Sequence, residues 1–283
     1  MQEKEKILTQ EIIERYASHL WEQERAENTV RKYRRDLTAL REWLDGRKLA
    51  KATLIEWKEQ LVTAYAAASV NSMVASLNGF LHFMGWQELT VKALKIQKNL
   101  FCKEDRELTR EEYIRLVKAA RQEGNERLAL VLQTICATGI RVSELKFITV
   151  ADVWRGHAEI NNKGKLRTVF LPDRLCVLLK KYLRREKRTE GAVFVTRTGT
   201  PLDRSNIWRD MKKLCESAGV TPGKVFPHNL RHLFARTYYS IEKDISRLAD
   251  ILGHTDIGTT RIYTMESGKT HARQMERMKL VIT

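Results

Sequence analysis

The chain has 283 residues, 51 of them Lys or Arg and 35 Asp or Glu, for a formal net charge of +16. That length suffices for two domains with separate cores, and so basic a balance points to a polyanion, DNA or RNA ahead of an anionic membrane surface. No stretch approaches the ~20 apolar residues of a spanning helix, and the polar start Met1-Gln2-Glu3-Lys4 does not read as a secretory signal, so a cytoplasmic protein is expected.

The charge is unevenly spread. Residues 1–100 hold 16 basic and 13 acidic side chains, so residues 101–283 carry +13 of the net charge. Cysteines stand at 102, 136, 176 and 215 with no C-x-x-C pair. That spacing suits neither a zinc site nor a disulfide framework, and it predicts reduced thiols filling the core.

Residues 1–100 contain no proline and only three glycines, which predicts an almost purely helical first domain. A helix is expected over 9–24. From Asn28 a second carries Val30, Tyr33, Leu37, Leu40 and Leu44 at three- and four-residue steps, one apolar face. Its other faces hold Arg31, Lys32, Arg34 and Arg35, candidates for DNA phosphate contact that a solvated helix face would equally display. Further helices fit 54–67 and 69–84, the last with Val70, Met73, Leu77, Phe80 and Met84 inward. Together these make a helical bundle, residues 1–104.

The charged stretch Lys103-Glu104-Asp105-Arg106-Glu107 separates it from a second domain, 105–283, which opens on a capping box, Thr109 with Glu112. A buried helix over 128–137 ends at Gly139. Strands over 153–161 and 166–171 flank the polar turn Asn162-Lys163-Gly164-Lys165, a hairpin with two lysines near its tip. Asp173 should cap a helix to about 185, with a short strand at 193–195 and a helix over 203–218. Pro227 opens a helix over 228–239, and two short helices, 245–252 and 257–263, are separated by Gly253. The expected fold class is mainly α with a small β-sheet.

Chemistry-bearing residues concentrate in this second domain. Arg141 follows Thr138-Gly139-Ile140, and His228 lies one helical turn before Arg231, so both share a face of one helix. His254 follows Gly253, and Tyr263 comes nine residues later. Cutting and rejoining a phosphodiester needs a nucleophile, cations for the phosphate oxygens and a proton for the leaving alkoxide. Arginines suit the second task because their planar fork grips two oxygens, and a hairpin lysine could supply the proton. Neither a G-x-x-x-x-G-K-[ST] loop nor a carboxylate cluster suited to Mg²⁺ occurs, so no cofactor is expected. Asp256 reads as a cap for the following helix rather than a metal partner of His254.

Three segments, Ala-Thr-Gly-Ile-Arg-Val-Ser-Glu-Leu (137–145), Pro-His-Asn-Leu-Arg-His (227–232) and Leu-Gly-His-Thr-Asp-Ile-Gly-Thr-Thr-Arg-Ile-Tyr-Thr (252–264), resemble the tyrosine recombinase/integrase family. Residues 1–100 resemble that family's helical core-binding domain more loosely. The resemblance implies Tyr263 as nucleophile forming a 3′-phosphotyrosyl link, and Arg141 and Arg231 as the phosphate clamp. It implies His228 as general base or phosphate donor, His254 as a phosphate ligand and Glu144 as a supporting acid. Lys163 aligns with the family's general acid, with Lys165 the alternative, because the turn reads Asn-Lys-Gly-Lys where Gly-Lys-Gly-x-Lys is commoner.

The implied partner is double-stranded DNA with specific recombination sites, bound by a homotetramer or paired heterotetramer. The resemblance implies that segment 269–283 (Met275, Met278, Leu280) docks on a neighbouring subunit, with a frayed or self-packed chain end as the alternative. A mobile-element integrase is the expected role, with a Xer-like resolvase of replicon dimers as alternative. A non-cutting DNA-binding relative and a type IB topoisomerase are the competing readings.

Overall fold

The computed structural model describes residues 6–96, 106–162, 165–254, 256–263 and 275–278. The chain divides into two compact units, Met1–Lys98 and Asn99–Thr283. The boundary expected near residue 104, Cys102, Lys163 and most of segment 269–283 lie outside the described residues.

The N-terminal unit is built from α1 (Gln10–Glu22), α2 (Glu27–Leu44), α3 (Lys51–Ala64) and α4 (Ala67–Phe83). The Thr9 hydroxyl accepts from the Ile12 amide and starts α1. α2 buries Val30, Leu37, Leu40 and Leu44, the stripe its periodicity predicts. Each such side chain contributes about 1.5–3 kcal/mol on burial. Val70, Leu77 and Phe80 of α4 complete the core, whereas Met73 and Met84 pack at its margin. A buried polar pair, Asp36 and Ser76, sits among them. Asp36 is 3% exposed and accepts from Lys32 Nζ (2.5 Å) and Ser76 Oγ (2.8 Å), tying α2 to α4.

The C-terminal unit begins with α5 (Arg110–Gln122), opened by the expected Thr109/Glu112 capping box. α6 (Glu126–Thr138) is its hydrophobic centre, burying Leu128, Leu130, Val131, Leu132 and Ile135. A 3₁₀ turn, Val142–Phe147, leads into α7 (Val150–Arg155). α7 occupies residues expected to start a strand. Thr149 and Asp152 form a second capping box, which commits the next turn to helix, and Gly156 ends it. The hairpin is therefore shorter than expected: β1 (His157–Asn162) pairs antiparallel with β2 (Lys165–Phe170), Asn162 opposite Lys165 and Ile160 opposite Arg167.

α8 (Asp173–Arg185) follows, with Pro172 in the cap position and Asp173 as its first residue rather than its cap. The strand expected at 193–195 is reduced to single bridges, Thr149 to Ala192 and Val195 to Pro201. Pro201 has no N–H to extend the pairing. α9 (Arg204–Ser217), α10 (Pro227–Glu242), α11 (Ile245–Leu252) and α12 (Ile257–Thr260) complete the unit, and α12 runs into a 3₁₀ turn, Arg261–Tyr263. Asp256 caps α12 through the Gly258 amide, as expected. α6 packs on α5, α8 and α10, so the chain ends that carry the candidate residues converge beside it. Among the described residues, no helix is long and apolar enough to cross a membrane.

Cys136, Cys176 and Cys215 are unpaired. Burial raises all three thiol pKa values, Cys136 to about 12, which leaves them protonated packing groups.

Candidate active site

The site starts with two glycines. Gly139 ends α6 at φ +65°, and a Cβ there would fall 2.4 Å from the Phe234 ring of α10. Glycine alone lets the two helices close up, which aims the Gly139 carbonyl at α10. Gly253 ends α11 at φ +64°, where a Cβ would fall 2.6 Å from the Arg167 side chain. The close approach puts β2 against the turn that bears His254.

Arg231 projects from α10 into the space between these turns. It is 2% exposed, yet it carries a full guanidinium. Nη1 donates to the Gly139 carbonyl (2.5 Å) and Nη2 to the Leu252 carbonyl (2.6 Å) and His254 Nε2 (3.0 Å). A guanidinium has only donors, so Nε2 must be the acceptor and the ring proton sits on Nδ1. That nitrogen then donates to the Thr260 hydroxyl (2.8 Å). Burial, with the charges of Arg231 and Arg141, holds the His254 pKa down to about 4, so the ring is neutral at pH 7. Burial and Arg141 lower Arg231 to about 10, and it stays charged at pH 7. Among the described residues its hydrogen-bond partners, two carbonyls and a histidine, include no anion.

Arg141 precedes the 3₁₀ turn. Its Nη1 donates to Glu144 Oε1 (3.0 Å), its backbone amide to Glu144 Oε2 (3.1 Å) and its Nη2 to the Gly253 carbonyl (3.2 Å). Glu144 is 1% exposed, while a third of the Arg141 side chain remains open. Glu144 and the Gly253 carbonyl thus hold one donor each, and the exposed third of the side chain leaves its remaining N–H groups open to an anion.

Tyr263 is 3% exposed. Its ring stands edge-on to His232 (4.7 Å between centroids) and nearly parallel to His254 (6.0 Å), and it lines the same cleft as Arg231. His232 in turn lies edge-on to His228 (4.5 Å). Burial, reinforced by His228 and Arg231, pushes the His232 pKa to about 4. His228 stands on the cleft wall, its pKa lowered by the surrounding protein and then by Arg231, Arg141 and Arg204.

Arg141, His228, Arg231, His254 and Tyr263 therefore line one cleft of about 620 Å³. Lys165 begins β2, directly after the turn. The α2 residues form a separate set in the N-terminal unit. Arg31 pairs with Glu27, Arg34 with Glu14 (2.7 Å) and Arg35 with Asp36 (3.3 Å), all largely exposed. Lys32 differs from the expected solvated face, since its amine is spent on Asp36, Ser76 and the Ser72 carbonyl.

Sequence reasoning missed Arg204 and Trp208, which line the cleft, His232 and Thr260, which contact its lining residues from behind, and Arg167, which bonds Glu144. Period-2 alternation could have found the last, because Arg167 shares a strand parity with buried Val169. His232 lies four residues after His228, the same-face spacing on a helix.

Comparison with known proteins bears on this arrangement. The profile described as "Phage integrase family" matches residues 106–269, and "Phage integrase, N-terminal SAM-like domain" matches residues 13–88. Tyrosine recombinase XerA of Pyrococcus furiosus is 30% identical over 98% of this chain and 97% of its own length. The chain belongs to the tyrosine recombinase/integrase family. Solved structures share its fold. A lambda integrase dimer bound to a COC′ core site superposes with a TM-score of 0.74 at 18% identity, covering 92% of this chain and 96% of that one. A lambda integrase tetramer bound to a Holliday junction gives 0.71 at 19% identity, covering 89% and 76%. As a tyrosine recombinase the chain is an enzyme of site-specific recombination. The cleft is the part of the recombinase where a phenol, three guanidiniums and two imidazoles meet.

Proposed function

We propose that this cleft opens and reseals a DNA phosphodiester, and that Tyr263 is the nucleophile. The observation that carries the reading is the convergence of Arg141, His228, Arg231, His254 and Tyr263 on one cleft from four separate stretches of chain. The entering phosphate takes the positions where Arg231 has only neutral partners and Arg141 has open N–H groups. Both cations then neutralise the charge that grows on the phosphoryl oxygens. The Tyr263 oxygen attacks phosphorus, forming the tyrosyl–phosphorus bond as the bond to the 5′ oxygen breaks. His228, kept neutral at pH 7 by its surroundings, accepts the phenol proton. Lys163, or in its place Lys165, protonates the departing 5′ oxygen. Once Arg231 turns to the phosphate, His254 Nε2 is released; with the ring proton moved to Nε2 and the Thr260 hydroxyl donating to Nδ1 instead, His254 donates a hydrogen bond to the phosphate. The products are a 3′-phosphotyrosyl ester and a 5′-hydroxyl. The ester bond type is conserved, so an incoming 5′-hydroxyl reverses the step without ATP.

The substrate in this reading is double-stranded DNA bearing specific recombination sites, engaged by a tetramer. The net charge of +16 supports a polyanionic substrate whose affinity falls steeply with salt. Arg31, Arg34 and Arg35 supply backbone contacts, with Lys165 beside the scissile phosphate. For the cellular role, a mobile-element integrase and a Xer-like resolvase of replicon dimers are the two readings. The likeness to XerA along nearly the whole of both chains favours the second.

The test works without a known target sequence. Wild type and Tyr263→Phe are mixed with fragmented host DNA, denatured in detergent, and the DNA left on the protein is sequenced. A few enriched sites with wild type alone is the expected result. Attachment without sequence preference would mean topoisomerase behaviour, and binding without any adduct would mean a non-cutting relative. On a recovered site, Lys163→Ala should slow cleavage far more than Lys165→Ala, and the reverse ranking moves the general acid to Lys165.

A further inference from the structure

Arg167 is a charged side chain where a hairpin strand should be burying something apolar. It sits on β2 opposite Ile160, at the same parity as Val169, and both of those neighbours are buried. Its own side chain is 13% exposed. Nη2 donates to Glu144 Oε2 (2.5 Å) and Nη1 to the Ile251 carbonyl (2.5 Å), while Nε is buried without a partner. The aliphatic stem crosses Gly253 at a distance that no side chain there would permit.

Stability alone is a poor account of this arrangement. Buried Arg–Glu–Arg clusters are often no more stabilising than apolar residues of the same volume, because desolvation of the charges offsets their attraction. An orphaned buried N–H adds a further cost. What the cluster does provide is geometry. Glu144 is held from one side by Arg167 and from the other by Arg141, one oxygen bonded to each guanidinium. The second arm of Arg167 holds the C-terminal turn of α11, whose next residues give the Leu252 carbonyl to Arg231, the Gly253 carbonyl to Arg141, and His254 itself.

We propose that Arg167 is a positioning residue that sets Arg141 and the Gly253–His254 turn in register with each other, so that the phosphate meets both at once. It acts through Glu144 and the Ile251 carbonyl and does not touch the reacting atoms. The proposal rests on the recombinase reading of the cleft and adds a residue to it. Its expected signature is a loss of cleavage without a matching loss of DNA binding.

The experiment uses the full chain on a DNA site recovered by covalent capture, built into a nicked duplex so that cleavage is irreversible. Wild type, Arg167→Met, Arg167→Lys, Glu144→Gln and the Arg167→Met/Glu144→Gln pair are compared for binding and single-turnover cleavage. A second substrate replaces the leaving 5′ oxygen by sulfur, which departs without a proton. Arg167→Met should bind within about threefold of wild type and cleave about 10²-fold more slowly. The same deficit should persist on the sulfur substrate, because phosphate capture and not leaving-group protonation is impaired. Arg167→Lys, which keeps the charge but cannot bridge both acceptors, should fall between Arg167→Met and wild type. The double variant should be no slower than the slower single, as for residues acting in one unit.

Rescue by sulfur would overturn the proposal, since Arg167 would then act through the hairpin lysine. Additive losses in the double variant, or wild-type cleavage by Arg167→Met, would also overturn it. If Arg167→Met fails to fold, Arg167→Lys and Glu144→Gln carry the same comparison. Absence of cleavage by wild type itself would remove the recombinase reading, and this proposal with it.

Discussion

Two groups of basic side chains in this chain look alike in sequence and differ in physical state. On α2, Arg31 and Arg35 stand in solvent with three-quarters of their side chains exposed, each beside a carboxylate of its own helix. In the C-terminal unit, Arg231 is sealed from water, and its fork is aimed by two carbonyls and a histidine. Exposed pairs contribute little and are screened by salt. A buried cation without a paired anion costs free energy to keep and attracts any anion that reaches it. The density of positive charge therefore reveals a partner, whereas the aim and desolvation of a single cation reveal a reaction.

The contrast can be broken by substitution. Arg231→Lys keeps the charge but cannot hold the Gly139 and Leu252 carbonyls together. Single-turnover cleavage should fall by about 10²–10³-fold, and a rate within fivefold of wild type would remove Arg231 from the clamp. Next in size is Lys32→Met, which strips Asp36 of its amine in the bundle interior. A loss of about 2 kcal/mol is expected in urea unfolding. A neutral result would return Lys32 to the solvated face.

Acid should act on the buried histidines. His232 and His254 are held near pKa 4 in the folded protein, against an ordinary value of 6.5. The unfolded chain then binds more protons between those limits, so folding stability should drop as pH falls from about 6.5 to about 4. Melting temperatures across that window check the sign, and His232→Phe should flatten the slope. The smallest effect belongs to Arg35→Gln, with stability within about 0.5 kcal/mol and a salt slope of DNA binding reduced by about 1 if it meets a phosphate.

What was legible in the sequence follows the same division. α2 and α4 declared themselves through apolar steps of three and four, because a bundle core enforces one buried stripe per helix. Arg141, His228, Arg231, His254 and Tyr263 of the cleft were legible as ordered motifs around Gly139, Pro227 and Gly253, whereas Arg204 and Trp208 were not. α7 was not, since Val150 and Val153 favour strands and only the Thr149/Asp152 cap decides for helix. The inward turn of Lys32 was equally hidden, because Asp36 and Ser76 become its partners only when α2 meets α4. Arg167 was passed over for the same reason: its partners, Glu144 and Ile251, are 23 and 84 residues away. Local pattern specifies elements, and long-range polar contacts are settled by packing.

The most direct measurement is to identify the amino acid that holds the DNA. Adduct formed by the wild-type protein on a captured site is digested with nuclease and protease, and the nucleotide-bearing peptide is sequenced by mass spectrometry. The mass of a residual 3′-nucleotide on Tyr263 is the predicted result. The same mass on Tyr238 or Tyr239, both of which pack against the apolar cluster that holds Tyr263, would contradict the assignment of the cleft's nucleophile.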